Sequence, residues 1–320
     1  MNKFKPSFSF THMLLDRASS QRKGAEWIEK QLADEHCKII PIWKGQFIFV
    51  KSALFIFDVK NKSKELSKAI TVLLADNKVI FLGLDNQSPV FVVDFSHIEQ
   101  EELTLFCKSP VKLLDLRSAL PLIDTNQASM LGYASSLSYW HRANKFCGFC
   151  GNKTISLNGG HSLQCSDEVC NKETFPRTDP VVIMLVEYKP KNGPTQCLLA
   201  EHHRSADKLV STLAGFIDPA ETLEQAVIRE VKEEAGVNVS NVQYVTSQPW
   251  PFPSSLMLGF YATADDPSIN IDDEEIRDAK WFTADEVRTF GNWGDEGDNY
   301  KLPRKESIAR YLIDCWLENN

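Results

Sequence analysis

The stretch from Gly215 to Val237 reads GFIDPAETLEQAVIREVKEEAGV, and it predicts a turn followed by an acidic helix. Thr222 and Gln225 stand three residues apart, which is the pattern of a capping box at a helix start. Gly236 is typical of the residue that follows the last helical turn. The helix between these signals would span about three and a half turns at 3.6 residues per turn.

The apolar residues of this helix recur at helical spacing. At 100° per residue, Val227, Val231 and Ala235 form one stripe, and Ile228 widens it. We expect this stripe to pack against a sheet.

The acidic residues share the neighbouring arc of the helix. Glu230, Glu233 and Glu234 crowd together there, although like charges four residues apart destabilise a helix. A hard cation such as Mg²⁺ or Mn²⁺ would relieve the repulsion, because these ions take oxygen ligands. A solvated acidic face on a surface helix is the alternative interpretation. The flanking glycines, the outlying Glu221 and the adjacent Arg229 favour the metal site.

The composition limits the classes of function. The 320 residues suffice for two or three domains, and 43% of them are apolar. A net charge of −8 argues against non-specific binding of nucleic acid. The chain has no apolar run of about 18 residues that would predict a transmembrane helix, and its start lacks the apolar core of a signal peptide. We therefore expect a cytoplasmic protein.

The eight cysteines fall into two groups. Cys147 and Cys150 are separated by two residues, and Cys165 and Cys170 by four. Four thiolates in two such pairs suit a closed, structural Zn²⁺ site. A redox CxxC pair is the alternative, but it needs no second pair. Residues 146–175 are too few to hold a core, so the metal would stabilise their fold. The remaining thiols are expected to be buried: Cys37, Cys107, Cys197 and Cys315.

Strand patterns dominate residues 1–110, which we interpret as a mostly β domain. Strands are predicted at 38–42, 46–50, 53–59, 70–74, 79–84 and 90–95. This domain carries no obvious chemistry and is best interpreted as a scaffold or a dimerisation domain. Residues 111–145 switch to helical periodicity and are expected to form a connector. No internal repeat is expected.

Residues 176–320 alternate strand and helix patterns. Strands are predicted at 181–188, 197–201, 209–216, 242–248, 256–263 and 274–282, and a closing helix at 304–318. Strands that flank helices in this way predict a mixed sheet with helices on both faces.

A stiff segment, SQPWPFPSS, begins at Ser247. Its three prolines lack amide donors, so the segment cannot lie centrally in a sheet. One interpretation is a rigid loop whose Trp250 and Phe252 fill the core. The other is a preformed wall beside the acidic helix, with Gln248 and Ser255 offering hydrogen bonds.

These motifs together carry a family resemblance. Residues 215–237 match the Nudix box, Gx5Ex7REUxEExGU with U a bulky aliphatic residue, at every fixed position. The resemblance implies an α+β protein whose Nudix domain is an α/β/α sandwich with a mixed sheet. SQPWPFPxS after the box, with a four-cysteine ribbon and a separate domain before it, resembles the NADH pyrophosphatase (NAD-capped RNA hydrolase) branch. The implied domains are 1–110, 111–145, 146–175 (the zinc ribbon) and 176–320 (the Nudix domain).

This branch implies a metal-dependent hydrolase. The expected reaction cleaves the pyrophosphate bond of NADH or NAD⁺ into nicotinamide mononucleotide and AMP, with two or three Mg²⁺ or Mn²⁺ ions. Removal of NAD caps from RNA 5′ ends and a homodimer are also implied. Two alternatives stay open: a Nudix hydrolase for another nucleoside diphosphate derivative such as ADP-ribose, and a protein that is chiefly an RNA-binding or decapping module.

The resemblance also implies roles for residues of the box. The implied metal ligands are the backbone carbonyl of Ala214 and the carboxylates of Glu230, Glu234 and Glu275. Glu233 would be a further ligand, or it or Glu234 would be the base that acts on water. Arg229 would brace the carboxylates, and Glu221 would steady the junction of loop and helix.

Substrate contacts are implied at four places. The signature segment supplies Gln248, Pro249, Trp250, Pro251, Phe252, Pro253, Ser254 and Ser255. Phe175 and Phe216 would stack on a base, although many members have tyrosine at the first of these positions. Ala309 falls where the branch places a backbone contact.

Overall fold

The structure is a computed structural model that describes residues 8–58 and 79–320. The chain forms two compact units. The amino-terminal unit contains the described part of His12–Arg177 together with Pro251–Ser254. The carboxy-terminal unit contains Thr178–Trp250, Ser255–Asn320 and residues 8–11. The strand predicted at 70–74 lies outside the described residues.

A mixed sheet forms the centre of the amino-terminal unit. Its described strands are β1 Lys38–Trp43, β2 Gln46–Val50, β3 Ala53–Leu54, β4 Phe57–Asp58, β5 Val79–Asp85, β6 Ser88–Asp94 and β7 Lys112–Leu114. They lie in the order β3-β2-β1-β6-β5, with β4 paired to β1 and β7 paired to β2. β1 and β6 run parallel, whereas the other pairs are antiparallel.

The described helices of this unit are α1 Ala25–Ala33, α2 Gln100–Cys107, α3 Leu116–Ala119 and α4 Thr125–Ala143. Asp124 and Gln127 form a capping box that starts α4. The expectation that helical structure begins at residue 111 is wrong, because Lys112–Leu114 is a strand. Leu113 pairs with Ile48 there. Hydrogen bonding to β2 outweighed the helical spacing of Leu113, Leu116 and Leu120, because a helical pattern alone specifies structure only weakly.

A small antiparallel sheet follows α4 and carries the clustered cysteines. Its strands are β8 Thr154–Leu157, β9 Ser162–Cys165 and β10 Glu173–Thr174, in the order β10-β9-β8. Gly151 and Gly159 adopt φ values of 80° and 65° at the turns, a conformation that favours glycine.

The carboxy-terminal unit has a mixed sheet of its own. Its strands are β11 Asp179–Tyr188, β12 Gln196–His202, β13 Val210–Ser211, β14 Leu213–Phe216, β15 Val239–Trp250, β16 Ser255–Ala264 and β17 Ile276–Thr283. The order is β13-β12-β11-β16-β15, with β14 on β11 and β17 on β12. Gly291–Asn292 and Lys301–Leu302 form a separate parallel pair, β18 and β19.

The helices of this unit are α5 Leu223–Ala235, α6 Ala284–Arg288 and α7 Ile308–Asn319. Alternate residues of β11 face two different cores. Val182 and Met184 pack with the apolar stripe of α5, whereas Ile183 and Leu185 pack with α7. The prediction of a mixed sheet covered by helices on both faces is therefore confirmed.

The two large sheets repeat one topology. β1 to β7 have the same order and the same side pairings as β11 to β17, including one parallel pair at the centre. The expectation of no internal repeat is therefore wrong at the level of the fold. Strand order depends on backbone pairing and on alternation of apolar residues, so it persists where residue identity does not. Among the described residues, no helix is long and apolar enough to cross a membrane.

Candidate active site

Helix α5 begins and ends at the predicted residues. The Thr222 Oγ1 atom accepts a hydrogen bond from the Gln225 amide at 3.2 Å, and the Gln225 side chain accepts one from the Thr222 amide at 2.9 Å. Gly236 ends the helix with a φ of 71°. A Cβ atom at Gly236 would lie 2.7 Å from the carbonyl oxygen of Asn270, so both the conformation and the space require glycine.

The apolar stripe of α5 lies where it was predicted, except at one edge. Val227, Val231 and Ala235 are fully buried, as predicted. Ala226 extends the stripe, whereas Ile228 is exposed, so the prediction for Ile228 was wrong. The buried arc of α5 extends from the stripe through Glu234 and Glu230 to Ala226, so Ile228 falls on the opposite, exposed edge of the stripe.

Of the three carboxylates on the acidic arc of α5, two are buried and one is exposed. Glu230 and Glu234 belong to the buried face of α5, whereas the Glu233 side chain is 59% exposed. Glu230 lies directly over β14, where a Cβ atom at Gly215 would fall 1.8 Å from its carboxyl carbon. The box glycine therefore leaves room for a carboxylate beneath the helix.

Arg229 holds these groups together. Its Nε and Nη2 atoms donate to the two carboxylate oxygens of Glu221, each at 2.8 Å. Nη1 donates to Glu230 at 2.8 Å and to Glu233 at 2.9 Å, and Nη2 also donates to the carbonyl oxygen of Phe216 at 2.8 Å. Such charge-assisted, bidentate geometry is specific to arginine.

Glu221 is tied to the loop as well as to the helix. Its Oε2 atom accepts the amide hydrogen of Asp218 at 3.0 Å in addition to the bonds from Arg229. The Arg229 guanidinium, and then this amide, lower the pKa of Glu221 to about 2. The loop before α5 is therefore anchored by an ionised carboxylate over the whole physiological range.

Glu234 has the most perturbed carboxylate of the helix. Burial, and then the charges of Glu230 and Glu275, raise its pKa to about 8, although a hydrogen bond from the Ala214 amide opposes the rise. Burial also raises the pKa of Glu230. Glu234 Oε2 is buried and has no hydrogen-bond partner among the described residues. An orphaned oxygen that faces like charges fits a hard cation, which would supply a partner and remove the repulsion.

The structure brings the implied metal ligands together only in part. Glu230 and Glu234 share one face of α5, and the Ala214 amide contacts Glu234. Glu275 is exposed, immediately before β17, and acts on both carboxylates through its charge. Among the described residues, these carboxylates do not form a group whose ligand atoms all lie within 4.8 Å of one another.

The four clustered cysteines do form such a group. Their sulfur atoms all lie within 4.8 Å, with Cys147 and Cys170 3.8 Å apart and Cys150 and Cys165 3.3 Å apart. The backbone amides of Cys150 and Phe149 lower the pKa of Cys147 to about 7, which favours a thiolate there, whereas burial raises the pKa of Cys165 to about 12. This group could hold a metal ion.

Gln248, one of the implied substrate contacts, is bonded within the protein. It is fully buried. Its Nε2 atom donates to the carbonyl oxygens of Ser9 and Glu306 at 3.1 and 2.9 Å, and its Oε1 atom accepts the Ile308 amide at 2.8 Å. These bonds use both donors of the amide and an acceptor, so its polar atoms are committed within the carboxy-terminal unit.

The proline-aromatic segment is part strand and part turn. Pro249 and Trp250 extend β15, which was predicted to end at residue 248. β15 is an edge strand, where a missing amide donor is tolerated. Within the amino-terminal unit, the Arg117 guanidinium lies 4.1 Å from the Phe252 ring centroid, and Ser136 Oγ donates to the Pro253 carbonyl at 2.9 Å.

The remaining members of the segment differ in burial. Pro251 is buried, whereas Ser254 and Ser255 are half-buried. Arg117 and Ser136 were not foreseen as partners of the segment. No local signal could have identified them, because they lie more than a hundred residues away in the chain.

The two residues that are implied to stack on a base are exposed, whereas Ala309, the implied backbone contact, is buried. Phe175 is 63% exposed and Phe216 is 61% exposed, so each ring offers a face. The Ala309 side chain packs in the core beside α7's other buried residues.

Comparison with known proteins places these features in a family. The Nudix-domain model matches residues 178–302, and the model of the NADH pyrophosphatase-like rudimentary Nudix domain matches residues 38–140. The chain is 38% identical over 245 residues to the NAD-capped RNA hydrolase NudC of Pseudomonas aeruginosa, across 77% of this chain and 78% of that protein. This chain belongs to the NADH pyrophosphatase branch of the Nudix hydrolase family. The second match agrees with the repeated sheet topology of this Nudix protein.

Other relatives are longer than this Nudix chain. It is 38% identical over 245 residues to the human NAD-capped RNA hydrolase NUDT12, across 75% of this chain and 50% of that protein. The chain thus spans about half the length of that relative. Among solved structures, a Nudix hydrolase from Nitrosomonas europaea gives a TM-score of 0.42 at 20% identity, and the match covers 55% of this chain and 92% of that one.

Proposed function

We propose that this protein hydrolyses the pyrophosphate bond of NADH and NAD⁺ to nicotinamide mononucleotide and AMP, and that it removes NAD caps from RNA 5′ ends. The observation that carries the proposal is the acidic face of α5, where a buried carboxylate oxygen of Glu234 lacks a partner. The SQPWPFPSS segment and the relatives named as NAD-capped RNA hydrolases support the choice of substrate.

Glu230, Glu234, Glu275 and the Ala214 carbonyl would hold the Mg²⁺ or Mn²⁺ ions. Bound divalent ions would offset the charge of a diphosphate and lower the pKa of an attacking water molecule. Oxygen donors of this kind are the set that such ions prefer.

The residues of the chain position the reaction around that site. Arg229 keeps the Glu230 and Glu233 carboxylates at fixed places through bonds of 2.8 and 2.9 Å. We assign Glu233 as the group that orients or deprotonates the water, because its side chain is exposed and Arg229 engages one of its two oxygens. Glu234 is the other candidate for this role.

Aromatic stacking would select and orient the dinucleotide. Phe175 and Phe216 present exposed rings that suit the face of a nucleobase. A stacked base would hold one phosphorus atom in line with the water, and such orientation contributes strongly to rate. Gln248 would act as a positioning residue, since its bonds join Ser9 to the start of α7.

We further propose a structural Zn²⁺ in the four-cysteine group, a homodimer and a cytoplasmic location. The sulfur separations suit tetrahedral thiolate ligation with bonds of about 2.3 Å. All eight cysteines are free thiols, which is typical of proteins from reducing compartments. The family resemblance supports the dimer, and sedimentation of the purified protein would test it.

The deciding experiment is a product assay with Mg²⁺ or Mn²⁺. NADH, NAD⁺, ADP-ribose and an NAD-capped RNA would be compared at matched concentrations, with products separated by chromatography. Release of nicotinamide mononucleotide with AMP, or with 5′-monophosphate RNA, supports the proposal and ranks the substrates. Preference for ADP-ribose, or no turnover, would refute it.

A further inference from the structure

A cavity of about 650 Å³ lies within the amino-terminal unit. It is bounded by the ends of β5 and β6, by the last turn of α4 and by the strands of the cysteine ribbon. The proposed hydrolytic chemistry makes no use of it. A cavity of this size is in the range that protein ligand sites occupy.

The walls of the cavity carry an excess of positive charge. Arg142, Lys145 and Lys153 line it, and none of the three forms an ion pair with a described residue. Arg142 Nη1 is buried and has no hydrogen-bond partner among the described residues. Asp94 is the one acidic residue of the lining, and its carboxylate accepts the amide and the hydroxyl of Ser96. Three cations, one of them with an orphaned donor, favour an anionic occupant.

Exposed apolar groups stand among these cations. Phe146 also lines the cavity and is 60% exposed, and Ile155 beside it is exposed as well. Elsewhere on the ribbon, Phe149 is 79% exposed, and the Lys172 ammonium lies 5.4 Å from its ring centroid. Aromatic rings alternating with lysine and arginine are the means by which proteins bind single-stranded nucleic acid, because rings stack on bases while cations follow the phosphates.

We propose that this cavity binds the RNA body of the capped substrate as a single strand. Arg142, Lys145 and Lys153 receive backbone phosphates, and Phe146 stacks on a base. The inference rests on the proposed function, since it explains how a protein with a net charge of −8 retains a polyanion. A local basic cavity meets that need without the bulk charge that general nucleic-acid binders carry.

The test is binding of a labelled, uncapped single-stranded RNA of 12 nucleotides to the zinc-loaded full chain, measured by fluorescence anisotropy at several salt concentrations. Lys145→Ala/Lys153→Ala should weaken binding and lower the slope of log affinity against log salt by about 1.4, the value for two lost contacts to single-stranded phosphates. Phe146→Ala should weaken binding without changing that slope. Lys23→Ala/Lys30→Ala, which removes two exposed lysines of the same unit, is the matched control and should change neither.

Hydrolysis then separates this inference from the proposed function. Lys145→Ala/Lys153→Ala should raise the KM for NAD-capped RNA several-fold and leave kcat and KM for NADH unchanged. If the wild type hydrolyses neither substrate but the double variant still binds RNA more weakly than the wild type, the proposed function fails and the RNA site stands. RNA binding that is equal in the wild type and the double variant would overturn the site. A variant that changes the oligomeric state in sedimentation with unchanged RNA affinity would also overturn it, in favour of a second copy of the chain as the occupant.

Discussion

At the scale of single residues, Arg229 determines where the carboxylates of the acidic helix lie. Its guanidinium bonds to Glu221, Glu230, Glu233 and the Phe216 carbonyl at 2.8 to 2.9 Å. A single planar cation with five donors thus joins the loop, the strand and the helix. Glu234 receives no bond from it and keeps an unpartnered oxygen. Helix α5 therefore carries both Arg229, which makes five hydrogen bonds, and Glu234, which has a buried oxygen without a partner among the described residues. This arrangement is expected of a site that binds a cation.

Glu234→Gln tests the least satisfied residue. The amide keeps the volume of the side chain but removes the negative charge, so hydrolysis of NADH should fall by more than about 100-fold, because even the outer partners of a metal ligand are worth 10–100-fold. The unfolding midpoint without added divalent ion should stay equal or rise at neutral pH, because an amide avoids the cost of burying a carboxyl beside Glu230, which the raised pKa of Glu234 reflects. Glu224→Gln, on the exposed side of α5, is the control and should retain activity. Near-normal turnover in Glu234→Gln would refute the assignment.

Glu221 makes the stability of the fold decrease as the pH falls into the acidic range. Arg229 holds its folded pKa at about 2, below the ordinary value of 4.5. A lowered carboxyl pKa stabilises the fold above pH 4.5, and that contribution is lost as the pH falls from 4.5 toward 2. The wild type should therefore be more stable than Glu221→Gln at pH 7, and the difference should shrink below pH 4.5. Urea unfolding of both proteins across this range measures it, and a difference independent of pH would contradict the assignment.

At the scale of elements, the site is the contact between α5 and β14. The helix can approach the strand because position 215 has no side chain, and the Glu230 carboxylate occupies that space. The strand supplies the Ala214 amide that contacts Glu234. Neither element presents the arrangement alone, because the carboxylates come from the helix and the space and backbone groups come from the strand.

Gly215→Ala tests this contact. The new methyl group would lie 1.8 Å from the Glu230 carboxyl carbon, so the carboxylate must move. Since the displaced atoms are at the end of a side chain, the free energy of unfolding should change little, whereas hydrolysis should fall by about 100-fold, as misplacement by about 1 Å can cost. Gly24→Ala, whose new methyl group would meet its nearest atoms at 3.6 Å, is the control. Loss of folding with loss of activity would show that Gly215 serves the core instead.

At the scale of the whole molecule, two sheets share one strand order but carry different candidate functional groups. The carboxy-terminal sheet carries the acidic helix between β14 and β15. In the amino-terminal sheet the equivalent connection, between β4 and β5, lies at residues 59–78, outside the described residues. The amino-terminal unit also contains the cysteine ribbon, whose small sheet has three short strands. The acidic helix therefore belongs to one unit, and the cysteine cluster and the basic cavity belong to the other.

The cysteine ribbon gives a prediction for this unit. Cys165→Ser should release the zinc, because it removes one of four sulfurs that lie within 4.8 Å. The three short strands around it cannot hold a core without the metal, so limited proteolysis should cut near residues 146–175. Zinc content per chain and cleavage sites are the measurements. Cys315→Ser, outside the cluster, should keep the metal, and one zinc retained by Cys165→Ser would contradict the assignment.

The sequence by itself determined the features that depend on near neighbours. Spacings of two to four residues set these features, because propensity and capping act directly over such distances. They are the ends of α5, the stripe of Val227 and Val231, the pairs of cysteines and the alternation of apolar residues along the strands. These were predicted within a few residues. The Nudix box identified the family, and the SQPWPFPSS segment together with the cysteine ribbon identified the branch, because each motif has its fixed residues at short spacings.

Only the tertiary structure decided the features that join distant parts of the chain. Nothing near Gln248 in the sequence indicates that its amide is bonded to Ser9, 239 residues away, and to residues near the start of α7. Leu113 has helical spacing but lies in a strand, because β2 was available to pair with it. The repeat of strand order is not visible as a repeated motif within this one sequence. In each case the partner is remote in sequence, so the free energy that selects the conformation comes from packing and hydrogen bonds that no local pattern records.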